Sequence, residues 1–285
     1  MKPSFTKRHT SIIVSSLMMT LTLALAAAPN PLMPDYSKFP MEQWESKVAA
    51  FTFHVHEKNG KVLPYRLYRP SQVDPQKSLP LVLFMHGAGE RGADNRKQLS
   101  HLASAHPFWE TNPCIVIAPQ CPAKEDAENP EECVWVQTPW GGTSHQMKEN
   151  PPWPMRLVIA LLEETIAKNP IDKNRLYVTG LSMGGYATWD LLQRFPKKFA
   201  AAMPICGGGD LNHADKLIGI PLRVFHGDAD EIVPVSRSRD MVQAIQKAGG
   251  NPTYPEYPQV MHDSWTRTYS QKSVWEWMFA QKKSP

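Results

Sequence analysis

Short, unbroken apolar runs punctuate the chain at 79–87 (LPLVLFMHG), 113–120 (PCIVIAPQ), 174–180 (NRLYVTG), 199–207 (FAAAMPICG) and 221–227 (PLRVFHG). Runs of this length without polar alternation suit strands buried on both faces of a parallel sheet. Two further runs, 51–55 and 62–69, bracket Asn59-Gly60 and predict an opening hairpin. TYPEYP at 253–258 predicts a last, more exposed strand. Helical stripes lie between the runs. One spans Met155 to Lys168 and stops at Asn169-Pro170. A second spans Gly184 to Phe195 and stops before Pro196. A third spans Ser236 to Ala248 and ends at Gly249-Gly250, and Val274 to Gln281 closes the chain. The alternation predicts an α/β fold, a mostly parallel, doubly wound sheet flanked by helices in a single domain. The stretch 119–153 is too long for a plain connector and reads as functional. It carries Trp135, Trp140 and Trp153.

Composition changes this picture mainly at the ends. The 285 residues, 42% hydrophobic, allow one large core. MKPSFTKRHT is charged, SIIVSSLMMTLTLAL is apolar, and Ala24-Leu25-Ala26 supplies small residues for cleavage. Residues 1–26 therefore read as a signal peptide, 27–50 as a Pro-rich leader, and 51–285 as the α/β domain. A secreted or periplasmic location follows, with no stable membrane insertion after cleavage, since no later stretch is long and apolar enough to span a bilayer. Net charge is +4, and +1 once Lys2, Lys7 and Arg8 are set aside. No concentrated basic face points to nucleic acid, and the overall balance indicates no strongly charged substrate. The four cysteines form no C-x-x-C pair, which leaves a zinc ribbon or redox site without support. Cys121 and Cys133 bracket the acidic loop CPAKEDAENPEEC and are either a disulfide stapling it or two separate thiols. Cys114 and Cys206 suit small buried hydrophobes.

The chemistry begins at GLSMGG, 180–185. It follows one apolar run and opens a helical stripe, as a nucleophile elbow does. Gly180 and Gly184 leave room for a sharp turn, and Ser182 then projects at a helix N-terminus, where N–H groups favour developing negative charge. A serine nucleophile needs a base, and the base an orienting acid. Both occur downstream in order. Asp228 and Asp230 follow the run 221–227, and His262 lies in VMHDSW after the last strand candidate. Asp230, deeper in its loop, is the predicted acid. Asp228 suits the turn itself, and Asp263 a local loop contact. His86 and His226, each ending an apolar run before glycine, read as structural. His54 and His56 share a strand face without a third ligand nearby, so no metal site is expected.

HGAGERG, 86–92, contains G-x-G-x-x-G in Gly87, Gly89 and Gly92. A dinucleotide turn would follow the first strand, with an acid ending a second strand about 20 residues on. This turn follows the third strand candidate, and Glu110 precedes a strand instead of ending one. The better reading is an oxyanion turn, with the N–H groups of Ala88 and Met183 as donors.

In HGAGERG, APQCP (118–122), GLSMGG, HGDADEIVP (226–234) and HDSW (262–265) the chain resembles the α/β-hydrolase superfamily. Within it the likeness is to secreted esterases related to polyhydroxybutyrate depolymerases and feruloyl or acetylxylan esterases, and to the catalytic domain of prolyl oligopeptidases. It covers roughly 51 to 280. The resemblance implies a serine hydrolase with Ser182, Asp230 and His262 as its triad and no cofactor. The expected substrate is a small-molecule or carbohydrate ester. The chain has no room for the propeller domain of prolyl oligopeptidases, which weakens a peptidase reading. A catalytically silent binding protein is the remaining alternative. Trp135, Trp140, Trp153 and Trp265 are candidates to bind a sugar ring or phenolic acyl group, or else pack the long loop down.

Overall fold

The computed structural model describes residues 49–283 except 72, 75–76, 103–104 and 125–129. The expected signal peptide, and all but the last two residues of the leader, lie outside the described residues. β1 (Phe51–Lys58) and β2 (Lys61–Tyr68) pair antiparallel. Asn59 and Gly60 turn between them with φ of 53° and 68°, the positive pair that a tight two-residue hairpin demands. The other strands of the main sheet are β3 (Leu79–Met85), β4 (Ile115–Pro119), β5 (Ile171–Leu181) and β6 (Ala201–Ile205). Their order is β1-β2-β4-β3-β5-β6, with β3 parallel to both β4 and β5, and β5 parallel to β6.

The run 221–227 is a strand only in part. β7 is just His226–Gly227, paired in parallel with β8 (Glu256–Tyr257). The run nonetheless lies alongside β6, where Arg223 N–H donates to Ala202 O at 3.1 Å and Cys206 N–H to Phe225 O at 2.9 Å. Its other edge receives residue 253, with Val224 N–H donating to Thr253 O at 2.8 Å. The apolar pattern thus marks a real extension of the sheet with an irregular ladder.

Helices cover both faces. They are α1 (His106–Thr111), α2 (Trp153–Lys168), α3 (Met183–Arg194), α4 (Ser236–Lys247), α5 (Trp265–Tyr269) and α6 (Lys272–Ala280). Every residue of β3 is buried, yet successive side chains enter different cores. Leu81, Leu83 and Met85 pack with Met155, Leu161 and Leu192 from α2 and α3. Val82 and Phe84 pack with Trp109, Tyr269 and Trp275 from the opposite helices. This is why the strands read as unbroken apolar runs. Parallel registers of Met85 with Gly180 and Leu181 with Ile205 bring the carboxyl ends of β3, β5 and β6 level. Open α/β sheets place ligands at that edge. No helix among the described residues is long and apolar enough to cross a membrane.

Candidate active site

Ser182 stands between β5 and α3 with φ 54° and ψ −119°, a conformation that L-residues rarely adopt. The surroundings impose it. A Cβ on Gly184 would lie 1.9 Å from Met85 O, and one on Gly180 would lie 2.3 Å from Gly184 O. Glycine at both places lets α3 start hard against the end of β3. Ser182 N–H is held by Ile205 O at 3.0 Å and by Cys206 Sγ at 3.2 Å. Cys206 itself has φ 40°, so two consecutive strand ends carry side chains in left-handed conformations.

Ser182 Oγ lies 3.0 Å from His262 Nε2, and His262 Nδ1 lies 2.7 Å from Asp230 Oδ2. A carboxylate only accepts, so Nδ1 carries the proton and the Nε2 lone pair faces the serine. Asp230 is fixed from several sides. Its Oδ1 accepts the N–H groups of Ile232 and Val233, each at 2.9 Å. Burial pushes its carboxyl up. Hydrogen bonds from His226, His262 and Val233 outweigh that and hold it well below the usual carboxylate range.

His226 contributes a partner that its sequence position did not announce. Its Nε2 lies 3.1 Å from Asp230 Oδ2 and 3.0 Å from Val233 O. Both are acceptors, so Nε2–H is the donor, and Ser238 Oγ stands 2.8 Å from Nδ1. The signal available was spacing, since an imidazole four residues before the acid on the same turn can face back onto it. Asp228 and Asp263 take local positions, as expected. Asp228 Oδ1 accepts Gln259 N–H at 2.6 Å, and Asp263 Oδ1 accepts Thr266 N–H at 3.0 Å.

Ala88 opens a single 3-10 turn, Ala88–Glu90, directly after β3, and Met183 is the first residue of α3. His86 sets that turn. Its Nδ1 donates to Gly87 O at 2.6 Å, and its Nε2 accepts Cys121 N–H at 2.8 Å. Complete burial drives its pKa down to about 4, so the imidazole is neutral and keeps one tautomer. Arg91 Nε closes the turn on Ala88 O at 2.9 Å.

The four tryptophans divide. Trp265 meets His262 edge to face, with ring centroids 5.1 Å apart. Trp140 is half-buried, with its carbonyl accepting Tyr186 Oη–H at 3.0 Å. Trp135 takes the packing alternative. It is wholly buried, donates Nε1–H to His86 O at 3.1 Å and packs the long loop onto the turn. Trp153 sits at the start of α2 under Lys61 of the hairpin.

Cys121 and Cys133 are buried and carry no disulfide, which corrects the bridged reading. Cys121 packs in the core beside β4, and burial first of all, then the neighbouring Cys133, raises its thiol. Among the described residues Cys206, Asp230 and His262 have ligand atoms within 4.8 Å of one another. A metal there would need the Cys206 thiolate, which burial disfavours, and would displace the proton between His262 and Asp230. These atoms fit a proton relay better than a metal site.

Comparison with known proteins agrees with this architecture. The model of the Phospholipase/Carboxylesterase family matches residues 70–273. A poly(3-hydroxyalkanoate) depolymerase of Paucimonas lemoignei is 29% identical over 135 residues, 45% of this chain and 28% of that protein. A bifunctional acetylxylan esterase/xylanase of Neocallimastix patriciarum is 26% identical over 214 residues, 70% of this chain and 27% of that protein. The chain thus spans little more than a quarter of the length of these curated relatives. The crystal structure of a thermostable esterase superposes with a TM-score of 0.74 at 37% identity, covering 84% of this chain and 64% of that one. With 204 of its 285 residues under one family model and its elbow, acid loop and histidine loop at one sheet edge, the chain belongs to the Phospholipase/Carboxylesterase family of the α/β-hydrolase superfamily.

Proposed function

We propose that the protein is a secreted serine carboxylic-ester hydrolase working through an acyl-enzyme. Ser182 Oγ attacks the ester carbonyl as His262 Nε2 takes its proton. Asp230 holds the imidazole and stabilises its charged form. The N–H groups of Ala88 and Met183 receive the oxyanion, a term of about 3 kcal/mol per donor in such sites. His262 then protonates the leaving alcohol, and a water deprotonated by the same imidazole releases the acid. The observation that carries this reading is the continuous relay from Ser182 Oγ to His262 to Asp230, at 3.0 and 2.7 Å. His226 is a positioning residue that steadies the acid.

The substrates we assign are short acyl or feruloyl and acetyl esters of polysaccharides. Trp265 beside the base and Trp140 beside the α3 helix support a flat ring as one part of the substrate. The name of the acetylxylan esterase relative points the same way, and the amino-terminal pattern supports export. The deciding experiment treats purified protein with a fluorophosphonate probe. It then assays 4-nitrophenyl acetate, methyl ferulate and a prolyl peptide side by side. Labelling that S182A abolishes, with cleavage of both esters and not of the peptide, is expected. A protein that neither labels nor cleaves is a silent scaffold, and preference for the peptide overturns the esterase assignment.

A further inference from the structure

Beside the relay lies a charge that the ester chemistry above does not use. Arg237, the second residue of α4, is only 4% exposed. Its partners among the described residues are two neutral hydroxyls. Nε donates to Tyr186 Oη at 3.1 Å and Nη2 to Thr138 Oγ1 at 3.3 Å. Nη1 has no acceptor among the described residues. The guanidinium carbon lies 5.2 Å from the Tyr186 ring centroid. No described carboxylate forms an ion pair with it, unlike its neighbour Arg239, whose Nη2 meets Glu256 at 2.6 Å. An arginine buried without an ion-pair partner is costly to keep. Folds retain such a group where something else supplies the anion.

Two neighbours leave the guanidinium room without adding a cation. His145, whose ring edge meets Tyr186, is pushed down to about 4, first by burial and then by Arg237 itself, so it adds no second charge. A Cβ on Gly208 would come within 3.1 Å of Arg237 Nε and 3.3 Å of Tyr186 Cε1, so glycine leaves the guanidinium its space. Thr138 and Trp140 also line a groove of about 430 Å³ whose rim carries Lys124 and Lys148 against Glu131. The link to the chemistry is short. Tyr186 N–H bonds Ser182 O at 3.1 Å, which puts Tyr186 one helical turn from the nucleophile, and Arg237 adjoins Ser238 of the His226 contact.

Resting on the esterase reading, we infer that Arg237, with Tyr186 and Thr138, forms a subsite for a carboxylate carried by the ester substrate. A planar guanidinium with open N–H donors in a dry wall suits a carboxylate in two-point contact. The carboxylate belongs either to the acyl part or to the alcohol part, and the two give separate arms of one experiment. The acyl arm compares mono-4-nitrophenyl succinate with its methyl ester. The alcohol arm compares 4-acetoxybenzoate with methyl 4-acetoxybenzoate.

In one arm the wild-type protein should favour the anionic ester at least tenfold in kcat/KM. R237Q should remove that preference, and R237K should keep part of it. A purely structural arginine would lower both members of a pair alike and leave their ratio unchanged, which would overturn the inference. Should R237Q fail to fold, the wild type still decides: glutarate should compete with the neutral ester and glutaramide should not, and equal behaviour of the two overturns the subsite. Cleavage of the neutral esters with no anion preference in either arm sinks the subsite and leaves the esterase standing. Cleavage of no ester at all sinks the esterase reading and the subsite with it.

Discussion

The elbow at Ser182 and the irregular stretch 119–153 lie side by side and are held in opposite ways. Backbone pressed against backbone fixes the elbow. Gly184 has no room for a methyl group against Met85 O, and Ser182 accepts a strained φ as a result. The long stretch is held largely by bonds between side chains and its main chain. Tyr186 Oη reaches Trp140 O, Arg91 Nη1 reaches Cys133 O at 3.3 Å, and Arg194 reaches the carbonyls of Lys148 and Glu149 at 2.6 and 2.7 Å. Asp210 accepts Met147 N–H at 2.9 Å. Carbonyls and N–H groups are common to all residues, so anchors of this kind constrain the path of the stretch far more than its sequence. The elbow fixes where Ser182 stands, and its neighbour is far less restricted in sequence.

Removing the nucleophile should give the largest effect. S182A is expected to lower kcat on 4-nitrophenyl acetate roughly 10⁴-fold or more while the melting temperature holds. A residual rate near wild type would end the catalytic half of the comparison. D230N should cost roughly 10³- to 10⁴-fold in kcat, because an amide offers His262 Nδ1 and His226 Nε2 a donor where each needs an acceptor. Next comes a reversal of sign. Gly to Ala inside a helix ordinarily gains about 1 kcal/mol. G184A should instead lose several, seen in urea denaturation, since the new methyl meets the β3 carbonyl. A neutral or stabilising result would show that the elbow is not set by collision.

A pH series sharpens the comparison, since each region contains one buried imidazole. His86 under the turn and His145 in the long stretch are both depressed to about 4, in each case by burial first. In the unfolded chain they protonate near 6.5, so the unfolded state binds more protons as pH falls. Stability is therefore intact above 6.5 and declines between 6.5 and about 4. His86 accounts for about 3 kcal/mol of that decline. H145Q should flatten part of the slope in denaturation midpoints, and an unchanged slope would clear His145 of any share. The smallest effect belongs to the variable side. W140A should raise KM a few-fold on aryl esters and change kcat less than about twofold, with a similar drop in both arguing that Trp140 supports the elbow as well.

What could be read in advance follows the same division. The unbroken apolar runs marked the two-sided strands, and GLSMGG marked the elbow, because burial and tight turns restrict which residues fit. Asp230 and His262 were legible from order alone, each following a strand. His226 was not, since a histidine before glycine at a strand end reads as structural, and its four-residue spacing to Asp230 tells only once the turn between them is known. Trp135 looked like a loop aromatic and proved to be packing, because exposure depends on contacts made far along the chain. Arg237 was invisible to net charge. An overall balance near zero says nothing about one buried cation whose hydrogen-bond partners are neutral hydroxyls.

Four donors converge on Asp230, and only one of them belongs to His262. If the imidazole swings aside during turnover, the carboxylate keeps its place and charge, and the returning ring finds an unmoved target. The two loops are nonetheless built as one piece: a Cβ on Gly227 would lie 2.1 Å from Val260 O, and Ala229 N–H bonds that same carbonyl at 3.1 Å. An engineer who shortens or exchanges the segment bearing residue 262 has to keep its carbonyls against the turn that carries Asp230.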